Sequence, residues 1–138
     1  MGVFERLVEA QNARDATRMA ACFADDYRSE QPAHPGREFV GNDQVRENWT
    51  SMFVGVPDFR AELVASCRDG DVEWVELDWR GHLADGSPFA MRGVIVATVR
   101  DGLIAAARLY MEPVEQVEQD IDAAVEELAR PPRAEPDG

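Results

Sequence analysis

Asn12-Ala-Arg-Asp15, Phe23-Ala-Asp-Asp26 and Gly41-Asn-Asp-Gln-Val-Arg-Glu-Asn-Trp49 are the segments whose reading decides the fold. Upstream of them Phe4, Leu7, Val8 and Gln11 follow helical spacing, and Asp15 stands where an N-cap restarts a second helix carrying Met19, Cys22 and Phe23. Tyr27 to Gln31 has strand character. Pro32, Pro35 and Gly36 break it before Arg37-Glu-Phe-Val40 resumes as the return arm of a small hairpin. Asn42 reads as the cap of a third helix with Val45, Trp49, Met52 and Phe53 on one face, ended by Gly55 and Pro57.

After Pro57 the apolar period falls from 3.6 to 2. Phe59, Ala61, Leu63, Ala65 and Cys67 alternate with polar or smaller neighbours. Asp69-Gly70, Asp85-Gly86 and Asp101-Gly102 then divide the rest into strands over 72–83, 89–100 and 103–111, which predicts an antiparallel meander. Helices first and strands after give an α+β domain over residues 1–113. From Val114 a helical stripe returns, with Val117, Ile121, Val125 and Leu128 opposite an acidic face, and predicts a C-terminal amphipathic helix over 114–130. That stripe is expected to dock on the chain's own sheet or on a second subunit. Residues 131–138 have nothing to bury and read as a disordered tail.

The 138 residues suffice for one domain with its own core. A net charge of -13 disfavours phosphate backbones and anionic lipid heads, so no nucleic-acid or membrane partner is expected. With no apolar run of spanning length and no basic leader, the reading is a cytoplasmic protein. All fourteen basic residues are arginine, which excludes a Schiff-base or lysine-held pyridoxal mechanism. Nor is there a glycine-rich phosphate cradle, and the expectation is no cofactor. The two cysteines, Cys22 and Cys67, have no metal-ligand spacing and read as small buried hydrophobes.

Asn12-x-x-Asp15, Phe23-Ala-Asp-Asp26, Pro32, the Gly41–Trp49 segment, Arg92-Gly93 and Val99-Arg-Asp-Gly102-x-Ile104 together resemble the NTF2-like superfamily. Within it the likeness is to the SnoaL-like branch, with its ketosteroid isomerases, polyketide cyclases and limonene epoxide hydrolases, and covers about residues 3–113. The resemblance implies a cone of three N-terminal helices packed on a strongly curved antiparallel sheet, a mostly apolar pocket, an apolar small-molecule ligand and a homodimer.

It also locates the chemistry that is missing. Ketosteroid isomerases pair an aspartate before a proline with a tyrosine and a protonated aspartic acid. Those places fall here at Gln31-Pro32, at Leu7, and among Val94, Ile95 and Val96. Limonene epoxide hydrolases resemble this chain at Glu76-Leu77-Asp78 and Ala107-Arg-Leu-Tyr-Met-Glu112, where Asp78 is the matched acid and Leu109 replaces the second. In polyketide cyclases of this branch the acid of the last strand falls nearest Met111, one residue from Glu112.

Strand 72–83 divides into Val75, Leu77 and Trp79 on one face and Trp74, Glu76, Asp78, Arg80 and His82 on the other. If the polar file lines the pocket, Asp78 is a general base with Arg80 beside it; if not, it is a charged outer face. His34, in the Pro32-Ala-His-Pro35 turn, is placed near the pocket mouth as an acid or base, or is an exposed loop residue. Tyr27, Gln31, Trp49, Phe53 and Trp74 are the candidate binding residues, Tyr27, Trp49 and Phe53 as aromatic lining or as plain core. No metal ligand set is expected. Two function classes follow: a cofactor-free cyclase, isomerase or hydrolase working through Asp78, with classical ketosteroid isomerisation disfavoured, or a non-catalytic protein that binds or sequesters an apolar small molecule.

Overall fold

A computed structural model describes residues 1–132. Its elements run α1 (Val3–Asn12), α2 (Ala16–Ala20), β1 (Phe23–Glu30), a 3-10 turn (Pro35–Arg37), β2 (Phe39–Val40), α3 (Asn42–Gly55), β3 (Arg60–Asp69), β4 (Val72–His82), β5 (Pro88–Arg100), β6 (Leu103–Pro113) and α4 (Ile121–Ala129). The six strands form one curved sheet in the order β2-β1-β6-β5-β4-β3. The predicted α+β architecture of three helices against this sheet is present.

The sheet is mixed rather than wholly antiparallel. β3 to β6 make the expected meander, joined by turns in which Gly70 and Gly102 take positive φ, whereas β1 lies parallel to β6. No hairpin ties β1 to β6. Eighty residues of chain separate their starts, Phe23 and Leu103, so turn geometry sets no antiparallel constraint on the pair. The small hairpin is as expected, with Arg28 opposite Val40 and Ser29 opposite Phe39.

Asp15 caps α2, accepting from the Arg18 amide at 3.0 Å. Asn42, by contrast, is already inside α3. The cap position belongs to Gly41 at φ +104°, a backbone conformation that favours glycine. The Asn42 amide donates instead to the Phe23 carbonyl and to Asp25, both at 3.4 Å, which ties α3 to the start of β1.

α1 packs on α2 and β3, and α3 packs on α2 and β1. Phe4, Leu7, Met19, Phe59, Val75, Leu77 and Ile104 are buried between helices and sheet. Gly93 on β5 pairs with Met111 on β6 and with Leu77 on β4. A Cβ there would overlap the Tyr110 carbonyl oxygen and lie 2.8 Å from Met111 Cα. Only glycine permits this approach.

Three expectations are corrected here. A register shift between Leu63 and Ala65 moves Ala65 and Cys67 opposite Glu76 and Trp74, so Cys67 is exposed while Cys22 is buried. The C-terminal helix is shorter than predicted, Ile121–Ala129: residues 114–120 form no helix, and Asp120 caps the start by accepting from the Ala123 amide at 2.9 Å. Its stripe does not dock on the chain's own sheet, since Val117, Ile121, Val125 and Leu128 are all exposed. Of the predicted tail, residues 133–138 lie outside the described residues.

Candidate ligand cavity

The inner side of the sheet and the helices enclose a cavity of about 220 Å³. Its wall draws on both periodicities read in the sequence. α1 contributes Phe4, Leu7 and Gln11, which share a helix face, and the strands contribute alternating residues such as Tyr27, Ser29 and Gln31 of β1 and its end, or Ala107, Leu109 and Met111 of β6. Trp79 closes one side, held edge-on against Trp49 with ring centroids 5.1 Å apart and planes at 89°.

Polarity on this wall is sparse and unevenly placed. Gln11 and Ser29 are buried, whereas Gln31 is half-buried and Arg37 and Asn48 are exposed, which puts the opening beside the latter three. There Arg37 donates to Gln31 Oε1 at 3.0 Å, and Gln44 donates to Asn48 Oδ1 at 2.7 Å. Burial pushes the Tyr27 phenol up to about 12, with the Ser29 hydroxyl opposing the shift, so Tyr27 is a neutral hydrogen-bonding group at ordinary pH. Among the described residues of the wall none is Asp, Glu, His, Cys or Lys.

The polar file of β4 faces the other way. Val75 and Leu77 are fully buried and Trp79 lines the cavity, so by strand alternation Asp78 and Arg80 lie on the outer side of the sheet. The expectation of Asp78 as a pocket carboxylate is therefore overturned by geometry. Asp78 accepts from Arg80 Nε at 2.7 Å and from Arg92 Nη1 at 3.2 Å, and Arg92 also reaches Glu76 at 2.9 Å. The Arg80 guanidinium holds the Asp78 carboxyl below the usual carboxylate range, and Arg92 adds to the effect.

The remaining candidates divide. Tyr27, Gln31 and Trp49 line the cavity. Phe53 stands behind the wall, its ring centroid 5.6 and 5.7 Å from those of Trp49 and Phe59, and Trp74 is on the outer face, 46% exposed. His34 is exposed in the turn before the 3-10 segment and is not part of the wall. His82 serves the fold, its Nδ1 lying 2.6 Å from Asp58 and its amide donating to the same carboxylate at 2.7 Å. Sequence reasoning missed Gln11 and Trp79, one counted into a helical stripe and the other into the apolar side of a strand. The signal for Gln11 was present: a polar residue in register with Phe4 and Leu7.

All three positions that the ketosteroid isomerase resemblance points to do touch the cavity, at Leu7, Gln31 and Ile95. The places are retained and the acid–base groups are not. Among the described residues no cluster of three or more His, Cys, Asp or Glu is gathered to hold a metal ion, and no helix is long and apolar enough to cross a membrane.

The family profile of the SnoaL-like domain matches residues 4–107, and the chain belongs to that family. No curated protein sequence matches significantly. Solved structures agree with the fold. A Catenulispora acidiphila protein of ketosteroid isomerase-like fold, in complex with trimethylamine, is 17% identical over 77% of this chain and 82% of that one, with a TM-score of 0.68. A proposed polyketide cyclase from Sinorhizobium meliloti is 23% identical over 80% and 93% of the two chains, TM-score 0.61. A proposed isomerase from Bacillus subtilis is 18% identical over 81% and 90%, TM-score 0.69.

Proposed function

We propose that this SnoaL-like chain binds a small, mostly apolar molecule in the cavity behind Arg37 and holds it without carboxylate acid–base chemistry. The observation that carries the reading is the wall itself: apolar side chains and neutral amides, with Tyr27 and Arg37 as its ionisable groups among the described residues. A general base needs a group of suitable acidity within hydrogen-bond reach of the reacting proton. The inner wall offers none of the usual carboxylates or imidazoles, and the Tyr27 phenol, at about 12, is a poor base near neutrality.

What the wall does supply is recognition. The cavity is small for a drug-sized ligand, so it suits a molecule of about bicyclic size. In a chain of net charge -13, Arg37 at the opening gives a local attraction for a carbonyl or anionic end group. The proposed cyclase and isomerase among the neighbours favour a second reading, a cofactor-free enzyme, for which Tyr27 is the available proton donor.

Fluorescence of Trp49 and Trp79 gives a direct assay, since both rings lie on the wall. Titration with naphthalene should perturb the emission saturably, and Leu109→Phe, which fills part of the cavity, should weaken that binding while the far-ultraviolet circular dichroism stays native. Incubation with a 3-oxo-Δ5-steroid should yield no isomerisation at an enzyme-like rate, because losing even one oxyanion donor costs about 10²- to 10³-fold. Rapid conversion that is abolished by Tyr27→Phe would replace the binding reading with the enzymatic one.

A further inference from the structure

The hairpin of β1 and β2 sets an arginine against the cavity. Ser29 of β1 pairs with Phe39 of β2, and both line the wall. Two residues further along each arm stand Gln31 and Arg37, which line it as well. Their polar ends meet, Arg37 Nη1 donating to Gln31 Oε1 at 3.0 Å. A neutral amide therefore holds the guanidinium at the rim, and the other donors of its fork have no partner among the described residues. The neighbouring acids, Glu30 and Glu38, are exposed, stand off the wall and form no ion pair with Arg37.

Arg37 is also the one charged side chain among the described residues of the wall, although Asp and Glu outnumber Arg by 27 to 14 in the sequence. The cavity of a chain with net charge -13 thus has a locally positive mouth. A cation drawn in by the overall charge meets repulsion there, and a neutral ligand leaves the guanidinium unanswered. A phosphate monoester brings nearly two negative charges to a single cation. A carboxylate brings one, in a plane whose two oxygens match the guanidinium fork. Because Arg37 is exposed, a carboxylate paired with it stays in contact with water and escapes most of the cost of burying a charge.

We propose that Arg37 clamps a carboxylate of the bound molecule at the cavity mouth, so that the ligand is a compact apolar carboxylic acid in its ionised form. Its hydrocarbon body lies inward, against apolar wall residues such as Trp49, Met52 and Leu109. This assignment rests on the reading of the cavity as a ligand site and names the class of ligand. Between a carbonyl and an anionic end group it selects the second.

Probes sharing one ring system separate these cases: naphthalene, 2-naphthoate, 2-naphthamide and the 2-naphthylmethylammonium ion, titrated calorimetrically at neutral pH and low salt. In the wild type 2-naphthoate should bind roughly tenfold or more tighter than naphthalene or the amide, as a charge-assisted hydrogen bond allows, and the ammonium ion should bind weakest. Added salt should shrink that preference. Arg37→Gln, checked for folding by circular dichroism, should keep naphthalene affinity and lose the preference. Arg46→Gln removes the same charge from an exposed position on α3, off the wall and paired with Asp43, and should keep the preference. If the amide or the ammonium ion matches 2-naphthoate, if the preference survives in Arg37→Gln, or if Arg46→Gln abolishes it equally, the carboxylate clamp is overturned while naphthalene binding still marks the cavity as a site. If no probe binds, naphthalene included, the cavity reading itself fails and takes the clamp with it.

Discussion

Asn12 and Ala61 exchange two hydrogen bonds, from Asn12 Nδ2 to the Ala61 carbonyl at 3.0 Å and from the Ala61 amide to Asn12 Oδ1 at 2.7 Å. The carboxamide acts as one more residue of strand alongside β3, the sheet's edge, and so converts a sequence motif into a fixed angle between α1 and the sheet. Asn12→Ala removes both bonds and leaves partly buried backbone groups unsatisfied. It should lower stability by about 1–3 kcal/mol in denaturant unfolding. Because Gln11 is its neighbour, the same variant should also weaken binding in the cavity.

A second prediction concerns Gly93. Its missing Cβ lets β5 lie against the Tyr110 carbonyl and Met111, both on β6, and no flexible side chain is available there to move aside. Gly93→Ala should destabilise by at least about 1–3 kcal/mol, as overpacking does, with loss of thermal stability measured by circular dichroism. Gly36→Ala is the control, since a Cβ at that position meets nothing within 4 Å.

Much of this architecture was legible beforehand because it is encoded locally. The change of period near Pro57 and the Asp-Gly pairs mark helices, strands and turns within a few residues of each other. What was not legible is long-range. The parallel pairing of β1 with β6 depends on no nearby turn, and the slip at Val64 that exposes Cys67 leaves no trace in the alternation of Phe59, Ala61 and Leu63. For the site, alternation correctly separated Asp78 from Trp79 but could not say which file faces the helices. Only the packed chain answers that, and it places Trp79 inside and Asp78 outside.

Asp78→Asn tests that placement. It should leave probe binding in the cavity within about twofold of wild type, since the carboxylate belongs to the outer ion-pair group with Arg80 and Arg92. Its effect should appear in the acid limb of stability instead. The folded-state acidity of Asp78 is shifted below the ordinary 3.8, so its contribution is present above that value and lost as pH falls through the lower folded one. Acid unfolding curves of wild type and variant should therefore differ near neutrality and converge at low pH. A large loss of ligand affinity would contradict the assignment.

Association is expected through the outer sheet face and not through the apolar file of β4. Val75, Leu77 and Trp79 are consumed by the chain's own interior. Trp74 and Tyr110, 46% and 43% exposed, are the large apolar groups left on the outer side. Light scattering at micromolar concentration should report about twice 15.4 kDa, and Trp74→Arg combined with Tyr110→Glu should return it to the monomer mass. A monomeric wild type would remove the dimer from the account.

Tyr27 offers the most direct check on the interior. The chain has two tyrosines and no lysine, so alkaline titration is unusually free of other groups, and Tyr110→Phe leaves Tyr27 as the single phenol. Burial raises it from an ordinary 10.0 to about 12, and phenolate absorbance in that variant should show a midpoint near 12 while the protein stays folded. Between these values the folded chain keeps the proton and the unfolded chain has lost it. The contribution of Tyr27 to stability is thus full below pH 10, falls by up to about 1.4 kcal/mol per pH unit as pH rises, and levels off once the folded-state value is passed. Comparison with the Tyr27→Phe, Tyr110→Phe double variant isolates that slope from the titration of Cys22. A phenol ionising near 10 in the folded single variant would mean that Tyr27 is wetter than the cavity allows, and the neutral hydrogen-bonding role assigned to it would fall.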